Sequence, residues 1–489
     1  MTTRAIVVML IAAGLVWIGA PRFGSAQTGV PQGPRERGGP PPVPSTGPGA
    51  QAGPNPFLGG VPTGTATPGV LPLSLTDAIA RGLAHNLGAL LSEQGTRAAY
   101  GAKLSALSAL LPTVGGSVAQ AREQLNLEAF GFPLPPGTSP IVGPFNVFDA
   151  RVSLSQAVFD YGAIERLRAT SASESASKYA YQDARDVVVQ VSSGLYLQAV
   201  TGAARVDAAR AQLRTADALY QRAVSLKAAG IVAGIEVLRA RVELQSQQQR
   251  LIVLENDLAK EKLTLARAIG LPSGQQFELT DRAAYAALKG MTLEGSLQQA
   301  YATRSDLRAA GEAVRAAEAA RRAAQAEALP SVHVDADYGD IGNTAGSAKM
   351  TYSVAAIVSV PIFQGGRVRG RVSQADAALQ QQKAQLEDLR SRIDYEVRAA
   401  LLDLKAADDF VAVAKSTTDL ANEQLAQAQD RFAAGVADNL EVVQAQNAVA
   451  AATENYLSSL YAHNLAKVAL ARAVGIVEKS IGQFLGGVK

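Results

Sequence analysis

From Val397 the residues Val397, Ala400, Leu404, Ala407, Val411, Ala414, Thr418, Ala421, Leu425, Ala428 and Phe432 recur at alternating spacings of three and four. An apolar seam held over five heptads is the sequence mark of a coiled coil. Val206, Ala209, Leu213, Ala216, Tyr220 and Ala223 show the same habit in the first half of the chain. The many Ala knobs allow helices to approach closely. Proline is absent from Phe145 to Leu271 and from Ile362 to Lys489, and both stretches are rich in good helix formers. A continuous helix from about Ala163 to Ala228 would be roughly 100 Å long. Aromatic residues make up only 5% of the chain, with one Trp. Large side chains for a thick globular core are therefore lacking, and thin, elongated helical packing is expected.

The two halves are copies of one another. Leu265-Ala266-Arg267-Ala268-Ile269-Gly270-Leu271 returns as Leu470-Ala471-Arg472-Ala473-Val474-Gly475-Ile476. Ala228-Ala229-Gly230 and Ile235-Glu236-Val237 return as Ala433-Ala434-Gly435 and Leu440-Glu441-Val442, both pairs at an offset of 205. Leu110-Leu111-Pro112-Thr113-Val114 matches Ala328-Leu329-Pro330-Ser331-Val332 at an offset of 218. The repeat is far longer than a solenoid unit and reads as a duplicated domain. The expected division is residues 73–270 for the first repeat, 271–292 for a linker, 293–475 for the second repeat and 476–489 for a C-terminal tail. Each repeat reads as helix, strand pair, long helix, turn, helix.

What precedes the repeats is an address and a leader. Residues 1–26 carry one basic residue, Arg4, an uncharged apolar run and the small residues Gly24-Ser25-Ala26, the layout of a secretory signal peptide. Residues 27–72 hold 12 of the 22 prolines and little to bury, so disorder is expected there. No comparably long uncharged apolar run follows, so no transmembrane helix is expected in the mature chain.

Charge and composition exclude several classes of function. Lys and Arg number 46 against 43 Asp and Glu, a formal charge of +3, which argues against a nucleic-acid partner. The absence of Cys removes disulfides, thiolate zinc sites, iron–sulfur clusters, Cys nucleophiles and a lipoprotein anchor. His85, His333 and His463 have no metal-ligand spacing. There is no phosphate loop, nucleophile elbow or paired acid and base. Neither an enzyme nor a cofactor or metal site is expected.

The strand signals point to a membrane. Phe148, Ala150, Val152 and Leu154 alternate with Asp149, Arg151, Ser153 and Ser155; Val332, Val334, Ala336 and Tyr338 alternate with Ser331, His333, Asp335 and Asp337. Residues 350–360 alternate likewise, and 113–121 do so more weakly. Period-two runs of about ten residues, apolar on one side and polar on the other, suit a transmembrane β-barrel. Asp149, Arg151, Ser153, His333, Asp335 and Asp337 then line its wet lumen, and residues 126–146 and 339–349 form loops facing outside. Four strands cannot close a barrel, and open edges cannot face lipid. Strands pooled from three copies would number twelve.

The chain resembles the TolC-like outer membrane efflux protein family over about residues 73–476. The resemblance is carried by Leu73-Ser74-Leu75 with Asp77-Ala78, by the strand entries Leu111-Pro112 and Leu329-Pro330, and by the exits Val158-Phe159-Asp160-Tyr161-Gly162 and Ile362-Phe363-Gln364-Gly365-Gly366-Arg367. The two Gly-centred helical turns complete it. It implies a mainly α protein with a small membrane β part: a homotrimeric α-helical barrel continuous with a 12-stranded transmembrane β-barrel, four strands per protomer. Such a duct sits in outer-membrane lipid and exports solutes or proteins passed on by a periplasmic membrane-fusion adaptor and an inner-membrane pump of the RND, ABC or MFS type. The resemblance further implies adaptor docking at Gly230, Ile231, Val232, Gly234 and Ile235 in one turn and at Gly435, Val436, Ala437, Asn439 and Leu440 in the other. It places a channel gate at Glu441 and Gln444, with Glu236 at a latch position. Phe432 stands where the family has a hydroxyl-bearing Tyr, and Ala437 where an Arg occurs, so closure is expected to rest on packing. The alternative, a periplasmic coiled-coil scaffold without a pore, would have no use for two duplicated hairpins with lipid-suited faces.

Overall fold

The computed structural model describes residues 55–485 apart from 131–134, 136, 283, 284, 289, 435, 437 and 438. The expected signal peptide and residues 27–54 lie outside the described residues. The element order is β1 (Leu71–Leu73), α1 (Leu75–His85), α2 (Leu87–Ser108), β2 (Thr113–Asn126), β3 (Ile141–Phe159), α3 (Tyr161–Ala228), α4 (Gly234–Ala268) and β4 (Phe277–Leu279), then α5 (Leu293–Thr303), α6 (Ser305–Ala326), β5 (Ser331–Gly342), β6 (Lys349–Ser359), α7 (Arg367–Ala433), α8 (Asn439–Ala473) and α9 (Val477–Phe484). The duplication is metrical as well as sequential. Paired helices have 11 and 11, 22 and 22, 68 and 67, and 35 and 35 residues.

Two compact units are present. The first comprises Leu104–Leu167 and Arg322–Val372 and contains one antiparallel sheet in the order β2-β3-β5-β6. The prolines after Leu111 and Leu329 end the preceding helices and admit the strands. The strands run further than the alternation alone suggests, so the joining loops shrink to residues 127–140 and 343–348. Near these ends each face mixes polar and apolar residues, Asp340 opposite Met350 on one and Lys349 opposite Ile341 on the other, so the period-two signal fades although pairing continues.

The second unit comprises Pro54–Lys103, Arg168–Arg321 and Ser373–Lys489. Its core gathers Leu73, Tyr196, Leu265, Ile269, Ile393, Val397, Leu470 and Val474. The heptad seam is inside as expected. Val397, Ala400, Leu404, Ala407, Val411, Ala421 and Ala428 are buried on α7, and Val206, Ala209, Ala216 and Ala223 on α3. Ser74 caps α1 in a capping box with Asp77, and Thr292, 218 residues on, caps α5 through the Gly295 N–H. Helices α4 and α8 end alike. Gly270 (φ +66°) and Gly475 (φ +76°) each adopt the left-handed conformation, and Leu271 N–H reaches Ala266 O at 2.9 Å as Ile476 N–H reaches Ala471 O at 3.0 Å. A Cβ on Gly270 would lie 2.6 Å from His85 Cβ, and one on Gly475 would lie 2.9 Å from Arg304 Cγ. The glycines in the repeated Leu-Ala-Arg motif therefore allow a close helix approach twice over.

Three stretches differ from expectation. Residues 55–72 are not shapeless: Asn86 donates to Phe57 O at 2.7 Å, and β1 pairs in parallel with β4. The linker 271–292 thus contains a strand. The presumed tail forms α9, with Val477, Ile481, Phe484 and Leu485 buried in the core. Arg185 of α3 pairs with Glu478 of α9. Beside this pair, burial pushes the Asp186 carboxyl up to about 6; Arg472 opposes the rise while Glu478 and Asp183 add to it. A carboxyl whose folded pKa lies above its unfolded value stabilises the fold most at low pH, and that contribution is lost as pH rises from about 4 through 6. Asp186→Asn is expected to slow amide exchange in α9 at pH 8, a gain on the order of 2 kcal/mol, with little change at pH 4.

Candidate functional site

Two reversals of the chain carry the expected docking residues. At the first, Gly230 (φ +76°) ends α3, and Ile231 N–H bonds to Leu226 O at 3.0 Å. Gly234 opens α4. Ile231 (69% exposed) and Ile235 (50%) project from the turn, while Val232 is half-buried. At the second, Val436 N–H bonds to Arg431 O at 3.1 Å, the same six-residue closure. Val436 (68%) and Leu440 (45%) are exposed there. Gly435 and Ala437 lie outside the described residues, and of Asn439 only the backbone, opening α8, is described. Each turn thus presents two large apolar side chains that are exposed among the described residues.

The expected gate residues flank these turns. Glu441 pairs with Arg431 at 3.0 Å, joining the last turn of α7 to the first of α8. Glu236 pairs with Arg239 at 2.8 Å on α4, and its other oxygen is buried without a partner among the described residues. Phe432 packs beside Leu425, Leu219 and the buried Ala428, Val442 and Ala445. Gln444 is exposed. Arg431 was not singled out from sequence. The available signal was the hairpin itself, which brings residue 431 alongside 441.

The register of the sheet sorts its residues into two faces. Ser153 pairs with Asp337, Ser155 with Asp335, and Ala157 with His333; Asp149 and Arg151 continue the same face along β3. All six expected lumen residues therefore share one side. Arg151 and Asp337 are not wetted as expected, being only 6% exposed each. The Arg151 guanidinium is held between Asp149 and Asp337, 3.4 Å from the latter. Gly339 makes room for it, since a Cβ there would meet Arg151 Cγ at 2.7 Å. The opposite face carries Val114, Val118, Val152, Leu154, Val334, Tyr338, Tyr352, Val354 and Val358. Val118, Tyr352 and Val354 are more than 70% exposed. No group of His, Cys, Asp or Glu suited to a metal ion occurs among the described residues.

A sheet with one bare apolar face and one polar face, joined to duplicated coiled-coil hairpins, defines the class of outer-membrane ducts. The outer membrane efflux protein family model matches residues 92–271 and 296–476. The chain belongs to that family. It is similar to the pyoverdine export outer membrane protein OpmQ of Pseudomonas putida, 25% identical over 81% of this chain and 84% of that protein. The alkaline protease secretion protein AprF of Pseudomonas aeruginosa is 22% identical over 69% of this chain and 71% of its own. The crystal structure of the outer membrane protein VceC of Vibrio cholerae shares the fold, with a TM-score of 0.70 at 19% identity, covering 82% of this chain and 96% of that one. The protein is an outer-membrane channel for efflux or secretion, in a family of transport proteins.

Proposed function

We propose that three copies of the chain assemble into one duct, a twelve-stranded β-barrel in the outer membrane continued by a helical barrel in the periplasm. It takes solutes or unfolded proteins from an inner-membrane pump through a periplasmic adaptor. The observation that carries this reading is the sheet: its apolar face is exposed, and the outer edges of its end strands β2 and β6 are unpaired among the described residues. Unpaired backbone groups cannot be left in hydrocarbon, so neighbouring copies must supply the pairing. Strands of 11 to 19 residues, tilted as in known barrels, are long enough for an apolar band about 25 Å tall.

The long helices support the same assembly. Tyr395, Leu402, Phe410, Val413 and Leu420 of α7 and Leu238, Val242 and Ile252 of α4 are exposed large apolar residues at helical spacings. A lone chain gains nothing from them, whereas burial between copies contributes about 25 cal/mol per Å² of apolar area. The purified protein in detergent is expected to give a trimer mass by native mass spectrometry and a steady conductance in planar bilayers. A monomer without conductance would overturn the proposal.

The turns at Ile231 and Val436 dock the adaptor, three of each kind in a trimer. The mouth near Glu441 forms the gate, closed by packing around Phe432. Pairing with Arg431 leaves each Glu441 little unbalanced charge, so cation preference is expected to be weak. Arg431→Gln should raise the cation-over-anion permeability ratio and Glu441→Gln should lower it, read from reversal potentials. Equal ratios in both variants would remove this pair from the gate.

A further inference from the structure

The strap that joins the two repeats covers a buried basic pair. Between β4 and α5, the residues Tyr285, Ala286, Leu288 and Met291 belong to no helix or strand. They lie across α7 and α8. Tyr285 Oη donates to Asp408 Oδ1 of α7 at 2.5 Å, and its ring stands 5.1 Å from the His463 ring of α8. The Ala286 carbonyl accepts from Lys467 Nζ, and Leu288 and Met291 pack against the core. His463 and Lys467, one helical turn apart on α8, are fully buried. Neither ring nitrogen of His463 has a hydrogen-bond partner among the described residues. Asp408 Oδ1 is 3.5 Å from His463 Nε2, a contact that becomes an ion pair only when the ring is protonated.

A buried imidazole with two unused nitrogens is costly, and the fold does not require one. At the offset of 205 its counterpart in the first repeat is Leu258, while Lys262 stands for Lys467 and Ala203 for Asp408. The His463–Asp408 pair is therefore peculiar to the second repeat. Burial, seconded by Lys467, favours the neutral ring, and Asp408 works against them. Burial likewise disfavours the charged form of Lys467. Lys467 on α8 itself, Asp408 on α7 and Tyr285 on the strap are the titratable groups that face the ring among the described residues. The strap is lightly held. Among the described residues no backbone–backbone hydrogen bond joins it to any element, and Gly290 (φ +89°) has open space where a Cβ would stand. Segments with so few ties open locally at small cost.

We propose that this strap is a proton-operated clasp on the α7–α8 hairpin, closed over a neutral His463 and released when the ring takes up a proton. In the closed form an imidazolium shares a dry site with Lys467, and Asp408, half-exposed and already bonded to Tyr285, is one carboxylate for two cations. Opening gives the imidazolium water. A His whose folded pKa lies below its unfolded value of 6.5 stabilises the closed form above pH 6.5, and that contribution is lost as pH falls below 6.5 through the lower folded value. Full protonation of the open form sets the ceiling, a rise of about thirtyfold in the opening equilibrium between pH 7.5 and 5. Asp186 has the opposite sign, firming the fold at low pH, and cannot mimic the effect. Asp408 and His463 each stand about 28 residues from Val436, roughly 40 Å along their helices. The clasp thus holds the hairpin that carries the proposed docking turn and gate. Any effect on that gate rests on the function proposed above; release of the strap does not.

The absence of Cys from the chain allows a direct test that needs neither pump nor adaptor. Ala287→Cys puts a single thiol on an exposed position of the strap, where it takes a nitroxide spin label. The ratio of mobile to immobile spectral components is measured on the full protein in detergent at pH 7.5 and pH 5. With His463 in place the ratio is expected to rise at least fivefold towards acid and to return on neutralisation. The same label at Gln248→Cys, exposed on α4, should not respond. His463→Leu, the residue that the first repeat uses, and His463→Gln, polar but not basic, should each hold the ratio within twofold over this range. A flat ratio with His463 present, a rise that survives either substitution, or an equal change at Gln248→Cys overturns the proposal. Lys467→Met should at least halve the rise, because the imidazolium then has Asp408 to itself; an undiminished rise would remove Lys467 from the clasp.

Discussion

Val354→Arg is expected to abolish trimer formation in the outer membrane, while Ala355→Arg, one residue along β6, is expected to be tolerated. The two positions lie on opposite faces of the sheet. Val354 is opposite Ala336 on the apolar face and is 71% exposed, so in the proposed barrel an arginine there would project into lipid. A basic residue near the bilayer midplane costs about 2–4 kcal/mol in a barrel, and a trimer bears the penalty three times. Ala355 is opposite Asp335 on the polar face. A guanidinium placed there gains a carboxylate partner directly across the strand. Heat-modifiable migration on gels and recovery in outer-membrane fractions measure the outcome. Equal loss in both variants, or in neither, would mean that the two faces do not separate lipid from water.

The second large effect is expected at the turns. Val436→Asp and Ile231→Asp should each lower export at least tenfold in cells carrying the pump and adaptor, while the trimer band persists. Both residues are exposed and neither belongs to the core clusters, so folding has little stake in them. If the turns dock an adaptor, an aspartate there is buried without a partner at three equivalent contacts, and breaking such a contact costs several kcal/mol. Adaptor pull-down should fail in parallel. Unchanged export by either variant would exclude that turn from docking.

Much of the fold was legible because its signals are long. The seam from Val397 to Phe432 needs 36 residues to become unmistakable, and the structure buries or half-buries every position it picks out. The duplicated motifs predicted matched elements, and helices of 35 and 35 residues follow. Short elements escaped. Helix α9 has only eight residues, and the pattern Val477, Ile481, Phe484 and Leu485 is too brief to stand out beside so many Ala-rich helices. Strands β1 and β4, three residues each, exist only because their partners are brought together. At the site, the individual acids were read without their neighbours. Arg431 neutralises Glu441 across a hairpin, and Arg151 sits between Asp149 and Asp337, relations that depend on register rather than residue type.

The near-identity of the two long helices, 68 and 67 residues, turns length into an editable variable. Taking one heptad out of α3 alone would set its turn about 10 Å short of the other, leaving the proposed trimer a stepped rim that no ring of equal partners could meet at all six points. Taking the same heptad out of both, with matching cuts in α4 and α8, would keep the rim level and merely shorten the reach. Gaps and insertions among relatives should therefore come in synchronised pairs of seven, so that the reach of the proposed duct is written into the chain twice and can be revised only in duplicate.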